Sequence, residues 1–163
     1  MFRICCKALI LALSLSSTAF AIGPDWIGKP APNFRLKTVD GRATLSLSDL
    51  RGYVVIVDFW ASWCTPCRRS LPLLSLLESG QKKVKVVAIS VDDDRENAVD
   101  FLKRLRVKII ALHDAEKHVA DEYSIPVMPS ALILDKKGIV QFVHAGYTEA
   151  DIDQFQQEVE GLE

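Results

Sequence analysis

Hydrophobic and polar residues along the chain switch between two periods. From Asn33 to Leu47, the stretch NFRLKTVDGRATLSL alternates apolar and polar side chains about Asp40-Gly41. That alternation predicts a β-hairpin, with Phe34 and Leu36 facing Leu45 and Leu47. Ser48-Asp49-Leu50 reads as a short helical turn before Gly52. The next run, YVVIVDFW (53–60), is apolar, continuous and rich in β-branched residues, as a central strand covered on both faces should be. Its single charge, Asp58, needs a reason. RRSLPLLSLLESG (68–80) then has helical character and stops at Gly80.

The same alternation of elements continues to the C-terminus. VKVVAIS (84–90) predicts a second buried strand. Asp93 or Asp94 can cap a following helix, whose Ala98, Phe101, Leu102 and Leu105 share one face. Residues 107–113 read as another strand and 115–123 as a short helix. SALILD (130–135) and IVQFVHAGY (139–147) form a hairpin about Lys136-Lys137-Gly138. Thr148 caps a last helix with Ile152, Phe155 and Val159 on its buried face. Strands alternating with helices, closed by a hairpin and helix, predict an α/β fold: a mixed central sheet with helices on both faces.

The first 21 residues do not belong to that pattern. Arg3 and Lys7 precede a short apolar run that ends in Ala19-Phe20-Ala21, the layout of a secretory signal peptide. Its apolar run is short for a membrane span, which needs roughly 20 residues; retention as an uncleaved anchor is the alternative. The expected division is a signal over residues 1–21, carrying away Cys5 and Cys6, and one domain over 22–163. Removing Arg3 and Lys7 from the 20 basic residues leaves 18 against 21 acidic ones, a formal net charge of about −3. No basic surface dominates, so nucleic acid is not an expected partner.

Cleavage would leave Cys64 and Cys67, in WCTPC, as the cysteines of the exported chain. Disulfides persist outside the cytoplasm. A Cys64–Cys67 bridge closes so short a loop that chain entropy gives it only about 2 kcal/mol, a weak staple. Structural zinc needs four ligands; there is no second cysteine pair, and among His113, His118 and His144 only His113/His118 have H-x₃₋₅-H spacing, about 50 residues on from the cysteines. Haem attachment requires His after the second cysteine, where Arg68 stands. The pattern points to a disulfide made to be broken, with no metal or other cofactor.

The strand-to-helix junction suits that chemistry. Cys64 at a helix N-terminus would meet free N–H groups and the positive end of the macrodipole, which favour a thiolate. Pro66 falls in the first turn, where a missing N–H costs little. Cys67, three residues on, lies on the same side of the turn. Cys64 is thus assigned as the exposed attacking thiol and Cys67 as the shielded resolving thiol, passing through a mixed disulfide. Asp58 is the candidate proton acceptor for Cys67, its pKa raised by burial; a carboxylate satisfied by backbone or water is the plainer alternative. Trp63 is expected exposed beside the cysteines and Trp60 in the core. Asp92–Asp94 reads as a solvated loop and helix cap, not a calcium site.

VDFWASWCTPCRRSLP resembles the signature of the thioredoxin superfamily, including the acidic residue before FWA and Pro72 five positions after the second cysteine. The opening GKPAPNF, LSDLRG, the DG hairpin, an inserted strand-and-helix segment around 85–110 and DEYSIPVMPSALILDKKG resemble its exported TlpA-like branch. The resemblance implies a thioredoxin-like fold over nearly all of residues 28–160 and a periplasmic thiol–disulfide oxidoreductase. It implies that Pro129, ahead of Pro126, is the cis-proline facing the cysteines, with the Met128 backbone free to pair with substrate. Trp63, Thr65 and Pro66 would complete the substrate surface. Members of the branch are often reductases fed by a membrane electron donor, and Thr65-Pro66, lacking histidine, also favours reduction. Exported protein thiols and disulfides are the implied partners, and a monomer is expected. Ile125–Ser130 departs from the G-x-x-G-x-P pattern of the cytochrome c maturation members. Two other functions compete: a thiol peroxidase, which shares the APNF and LSDLRG opening but needs P-x-x-x-T/S before its cysteine, and a non-catalytic thioredoxin-like binding module.

Overall fold

The β-branched runs assemble into one seven-stranded mixed sheet in a computed structural model that describes residues 23–163. The signal assigned to residues 1–21, with Cys5 and Cys6, lies outside the described residues. The strands are β1 (Arg35–Thr38), β2 (Thr44–Ser46), β3 (Val54–Trp60), β4 (Val84–Ser90), β5 (Ile110–His113), β6 (Ser130–Leu134) and β7 (Val140–Ala145). Their order is β2-β1-β5-β4-β3-β6-β7. β3, β4 and β5 run parallel, while the two hairpins pair antiparallel at either side.

Four helices cover the sheet: α1 (Cys67–Gly80), α2 (Arg95–Leu105), α3 (His118–Glu122) and α4 (Ile152–Glu160). Alternate residues of β3 point to opposite faces. Val54 and Ile56 pack with Leu74 and Leu77 of α1 and with Phe155 and Val159 of α4. Val55, Val57 and Phe59 pack on the other side with Phe34, Leu47, Val119 of α3 and Tyr123. Every residue of β3 is consequently buried. This is the expected α/β architecture with helices on both faces.

Local chemistry sets the boundaries. The first hairpin has the predicted register, Leu36 opposite Leu45. Its turn is held by the Asp40 carboxylate, which accepts from the Thr38 hydroxyl and the Arg42 N–H. Gly41 takes φ +71°, a conformation that strains residues with a Cβ. In the second hairpin, Asp135 Oδ1 accepts from the N–H groups of Lys137 and Ile139 at 2.8 and 3.0 Å. Asp94 caps α2 by accepting from the Glu96 N–H at 3.0 Å. α2 ends at Arg106 in the left-handed conformation, φ 56°. The chain needs residues 107–109 to recover, so β5 begins at Ile110 and not at 107 as the apolar run suggested. α3 is likewise shorter than the 115–123 expected, because Lys117 precedes it with φ 60°. Thr148 caps a 3₁₀ turn (Glu149–Asp151) that leads into α4.

Candidate active site

Asp58 lies in the middle of β3, with Ala88 of β4 and Ala131 of β6 as its cross-strand partners. Two small neighbours leave space for a carboxylate within a fully covered sheet. Asp58 Oδ1 accepts a 2.7 Å hydrogen bond from the Tyr147 hydroxyl. Oδ2 is buried and, among the described residues, has no hydrogen-bond partner. Burial pushes the Asp58 pKa up to about 7, although the Tyr147 hydroxyl pulls the other way. Tyr147 is itself pushed well above the ordinary phenol value, first by burial and then by the Asp58 charge, so it stays a neutral donor. Among the described residues no backbone group satisfies Asp58, the first half of the plainer alternative of backbone or water; a tyrosine satisfies one oxygen.

The chain leaves β3 at Trp60 and reaches α1 through a tight segment in which the Cys64 N–H donates to Ala61 O at 3.1 Å. Asp92, just beyond β4, fastens that segment. Its buried carboxylate accepts from the Ser62 N–H (3.0 Å), the Ser62 hydroxyl (2.6 Å) and the Ser90 hydroxyl (2.8 Å). The reading of Asp92–Asp94 as a solvated loop holds for Asp93 and Asp94 but is corrected at Asp92. The physical reason is that the end of β4 runs beneath residues 61–63, where a charge can stay buried only by collecting donors.

Cys64 and Cys67 form a disulfide with their Cα atoms 5.3 Å apart. α1 starts at Cys67, with Pro66 as its N-cap residue, so Cys64 stands one turn ahead of the helix rather than within it. The Cys67 N–H, one of the donors that a helix start leaves free, points to Cys64 Sγ at 3.2 Å. Cys67 is fully buried, but Cys64, expected to be exposed, is only 4% accessible. The bridge draws its sulfur onto the helix start, and both cysteines pack with Trp60, Leu71, Ala88 and Phe101. Access is asymmetric in the expected order, yet much narrower than expected. Pro72 lies inside α1 as the sequence indicated, and withholds a donor from the Arg68 carbonyl.

Exposed residues surround the bridge. Trp63 is 68% accessible, Thr65 and Pro66 are exposed, and Trp60 is buried against Phe101 with ring centroids 5.3 Å apart. The Met128–Pro129 peptide is cis, and Pro126 stands exposed in the loop before it. Met128 is half-buried against the cluster that holds the cysteines, while Pro129 is buried and its carbonyl accepts from the Gly146 N–H at 2.9 Å. The structure therefore gathers Trp63, Cys64, Thr65, Pro66, Cys67 and Met128 at one end of the sheet, with Asp58 below. The three histidines do not converge: His113 contacts the Asp92 carbonyl, His118 pairs with Glu116, and His144 with Glu158. Among the described residues, no group of three or more metal-ligating side chains is placed to hold an ion.

Sequence reasoning missed two residues, Tyr147 and Asp92. Tyr147 is 89 positions from Asp58, and no spacing in the chain signals that they meet. The only hint for Asp92 was the polar Ser90-Val-Asp92 ending of a buried strand, which asks for partners.

Residues 27–143 match the AhpC/TSA family. The thiol–disulfide oxidoreductase ResA of Geobacillus thermodenitrificans is 29% identical, over 93% of each chain. The thioredoxin-like protein YneN of Bacillus subtilis is 33% identical over 78% of this chain and 76% of its own. Among solved structures, a Chlorobium tepidum protein assigned as the thiol:disulfide interchange protein DsbE superposes with a TM-score of 0.79. That protein is 32% identical, over 83% of this chain and 96% of its own. Fold, sequence and a cysteine bridge at the strand–helix junction agree: the chain belongs to the AhpC/TSA family, as a TlpA-like thiol–disulfide oxidoreductase of the thioredoxin superfamily.

Proposed function

We propose that the protein reduces disulfides of exported proteins in the periplasm through a mixed disulfide, with the Cys64–Cys67 pair as its redox centre and no bound cofactor. The observation that carries this reading is the bridge at the start of α1, above a buried carboxylate with one free oxygen. In the dithiol form, the Cys64 thiolate attacks a substrate disulfide, and one substrate sulfur leaves as thiolate and takes a proton. Cys67 then gives its proton to Asp58, and its thiolate attacks Cys64 Sγ. The Cys64–substrate bond breaks, the second substrate thiol departs, and the internal bridge is restored with two electrons passed to substrate. The N–H of Cys67 stabilises a thiolate on Cys64 in the first step.

The setting favours a protein substrate. Clefts of about 830 and 650 Å³ open along the β1–β2 hairpin, and neither is lined by the cysteines. Around the bridge, exposed Trp63 and Val127 offer apolar contacts on an open surface, and the backbone of half-buried Met128, before the cis Pro129, is the group assigned here to pair with an extended substrate strand. Net reduction needs an outside electron supply, for which a membrane donor fits a monomeric, exported enzyme. Among the described residues, no helix is long and apolar enough to cross a membrane.

Two cysteine variants test the mechanism. Cys67→Ser should accumulate a mixed disulfide with a disulfide-bonded test protein, visible by mass spectrometry, whereas Cys64→Ser should trap nothing and lose reductase activity. Retained activity in Cys64→Ser would refute the assignment. Peroxide consumption as fast as disulfide reduction would favour the thiol peroxidase reading.

A further inference from the structure

The Asp58 carboxylate is held asymmetrically, and the asymmetry has a chemical meaning. Tyr147 follows β7 and is buried; its ring packs on Phe155 of α4 with centroids 4.9 Å apart. Phe155 also stacks on His144 at 4.3 Å, so an aromatic wall fixes the direction of the Tyr147 hydroxyl. That hydroxyl reaches Asp58 Oδ1 at 2.7 Å. Asp58 Oδ2 is buried and, among the described residues, without a hydrogen bond, while the Ser70 hydroxyl, buried on the next turn of α1 after Cys67, stands beside the Tyr147 hydroxyl. Ala88, one strand neighbour of Asp58, packs with Cys64 and Cys67; Ala131, the other, packs with Tyr147 and Phe155. The carboxylate thus lies on the seam between the dithiol cluster and the aromatic wall, with one oxygen committed to the wall.

We infer that Tyr147 is a positioning residue for the exchange reaction: by fixing Oδ1 of Asp58 it makes Oδ2 the oxygen that trades a proton with Cys67. This rests on the role proposed above for Asp58 as the acceptor, and adds the group that orients and tunes it. In the step concerned, the Cys67 S–H bond breaks and an O–H bond forms on Oδ2. The Cys67 thiolate then forms the bond to Cys64 Sγ while the Cys64–substrate bond breaks. The Asp58 proton returns when the next reducing cycle regenerates the Cys67 thiol. A donor on Oδ1 favours the ionised carboxylate and keeps the acceptor available at neutral pH.

Other charges nearby are few and turned away. On β4 and β6 the flanking residues are alanines, and among the described residues α1 and the segment leading into it bring Cys67, Ser70 and Cys64 to this side. The His144–Glu158 pair, 2.7 Å apart, stands behind Phe155, and the Arg69–Glu149 pair, 2.8 Å apart, lies at the surface. Titration of Asp58 should therefore report chiefly on Tyr147 and on the thiols.

The test is Tyr147→Phe, which keeps the aromatic wall and removes the donor. In the purified reduced protein, the infrared carbonyl band of protonated Asp58, identified by its absence in Asp58→Asn, should titrate about one to two pH units higher than in the unaltered chain. The acidic limb of the pH profile for mixed-disulfide resolution should move up by the same amount, with the plateau at high pH retained. An Asp58 titration unchanged in Tyr147→Phe would overturn the positioning role, whatever Asp58 does. A resolution profile unaffected by Asp58→Asn would instead overturn the acceptor role itself. Unfolding curves of both variants identify any change that comes from loss of the fold.

Discussion

Asp58→Asn removes a charge that the sheet buries while leaving the shape of the side chain and an oxygen to accept from Tyr147. The folded-state pKa of about 7 lies above the ordinary 3.8, so the native protein holds this proton more tightly than the unfolded chain does. Stability from the group is therefore complete below about pH 4, is lost as pH rises towards 7, and is level above that. At about 1.4 kcal/mol per unit, the full span is roughly 4 kcal/mol, of which about 2 to 3 falls between about pH 5 and pH 8. The asparagine does not titrate. Urea unfolding of both oxidised proteins should show Asp58→Asn gaining about 2 to 3 kcal/mol on the parent across that interval, with both disulfides intact. The comparison cancels the other titrating groups, which the two chains share. A difference that stays flat from pH 5 to 8 would show that Asp58 is not protonated by its burial. The same variant should slow resolution of the mixed disulfide, so a stability gain accompanied by lost activity is the combined signature of a buried carboxylate kept for chemistry.

Two further substitutions probe the frame around the cysteines. Asp92→Ala strands the Ser62 N–H and two hydroxyls and should lower stability by about 2 to 4 kcal/mol, read from denaturant midpoints. It should also slow disulfide exchange, since residues 61–63 lose their anchor; full activity would show that the segment is held well enough without it. Trp63→Ala, at an exposed site, should change stability by less than about 0.5 kcal/mol. It should raise KM for a protein disulfide several-fold while sparing a small-molecule disulfide, and an equal effect on both would argue against a substrate contact. The reduction potential of the Cys64–Cys67 pair decides direction: about −270 mV suits a reductase, whereas about −120 mV would assign disulfide donation.

Much of the fold was legible because each element advertises itself locally. The period-two hairpin about Asp40-Gly41, the apolar run over residues 53–60 and the amphipathic face of Ala98 and Phe101 depend on neighbours a few residues apart. The redox pair was legible for the same reason, since WCTPC at a strand–helix junction carries its own chemistry. Boundaries were less so: β5 starts late because Arg106 takes a left-handed conformation that no apolar pattern encodes. The accessibility of Cys64 also escaped the sequence, because it depends on how the helix start packs against Trp60 and Phe101. What only the tertiary structure decided is who stands beside Asp58. A lone charge in a buried run announces that a partner exists, but Tyr147 comes from beyond β7, brought there by strand order and by the docking of α4. Asp92 is the same case at Ser62, across 30 positions. Local periodicity carries the elements and the cysteines; contacts made across the sheet carry the proton chemistry, because burial and partners are properties of the packed chain.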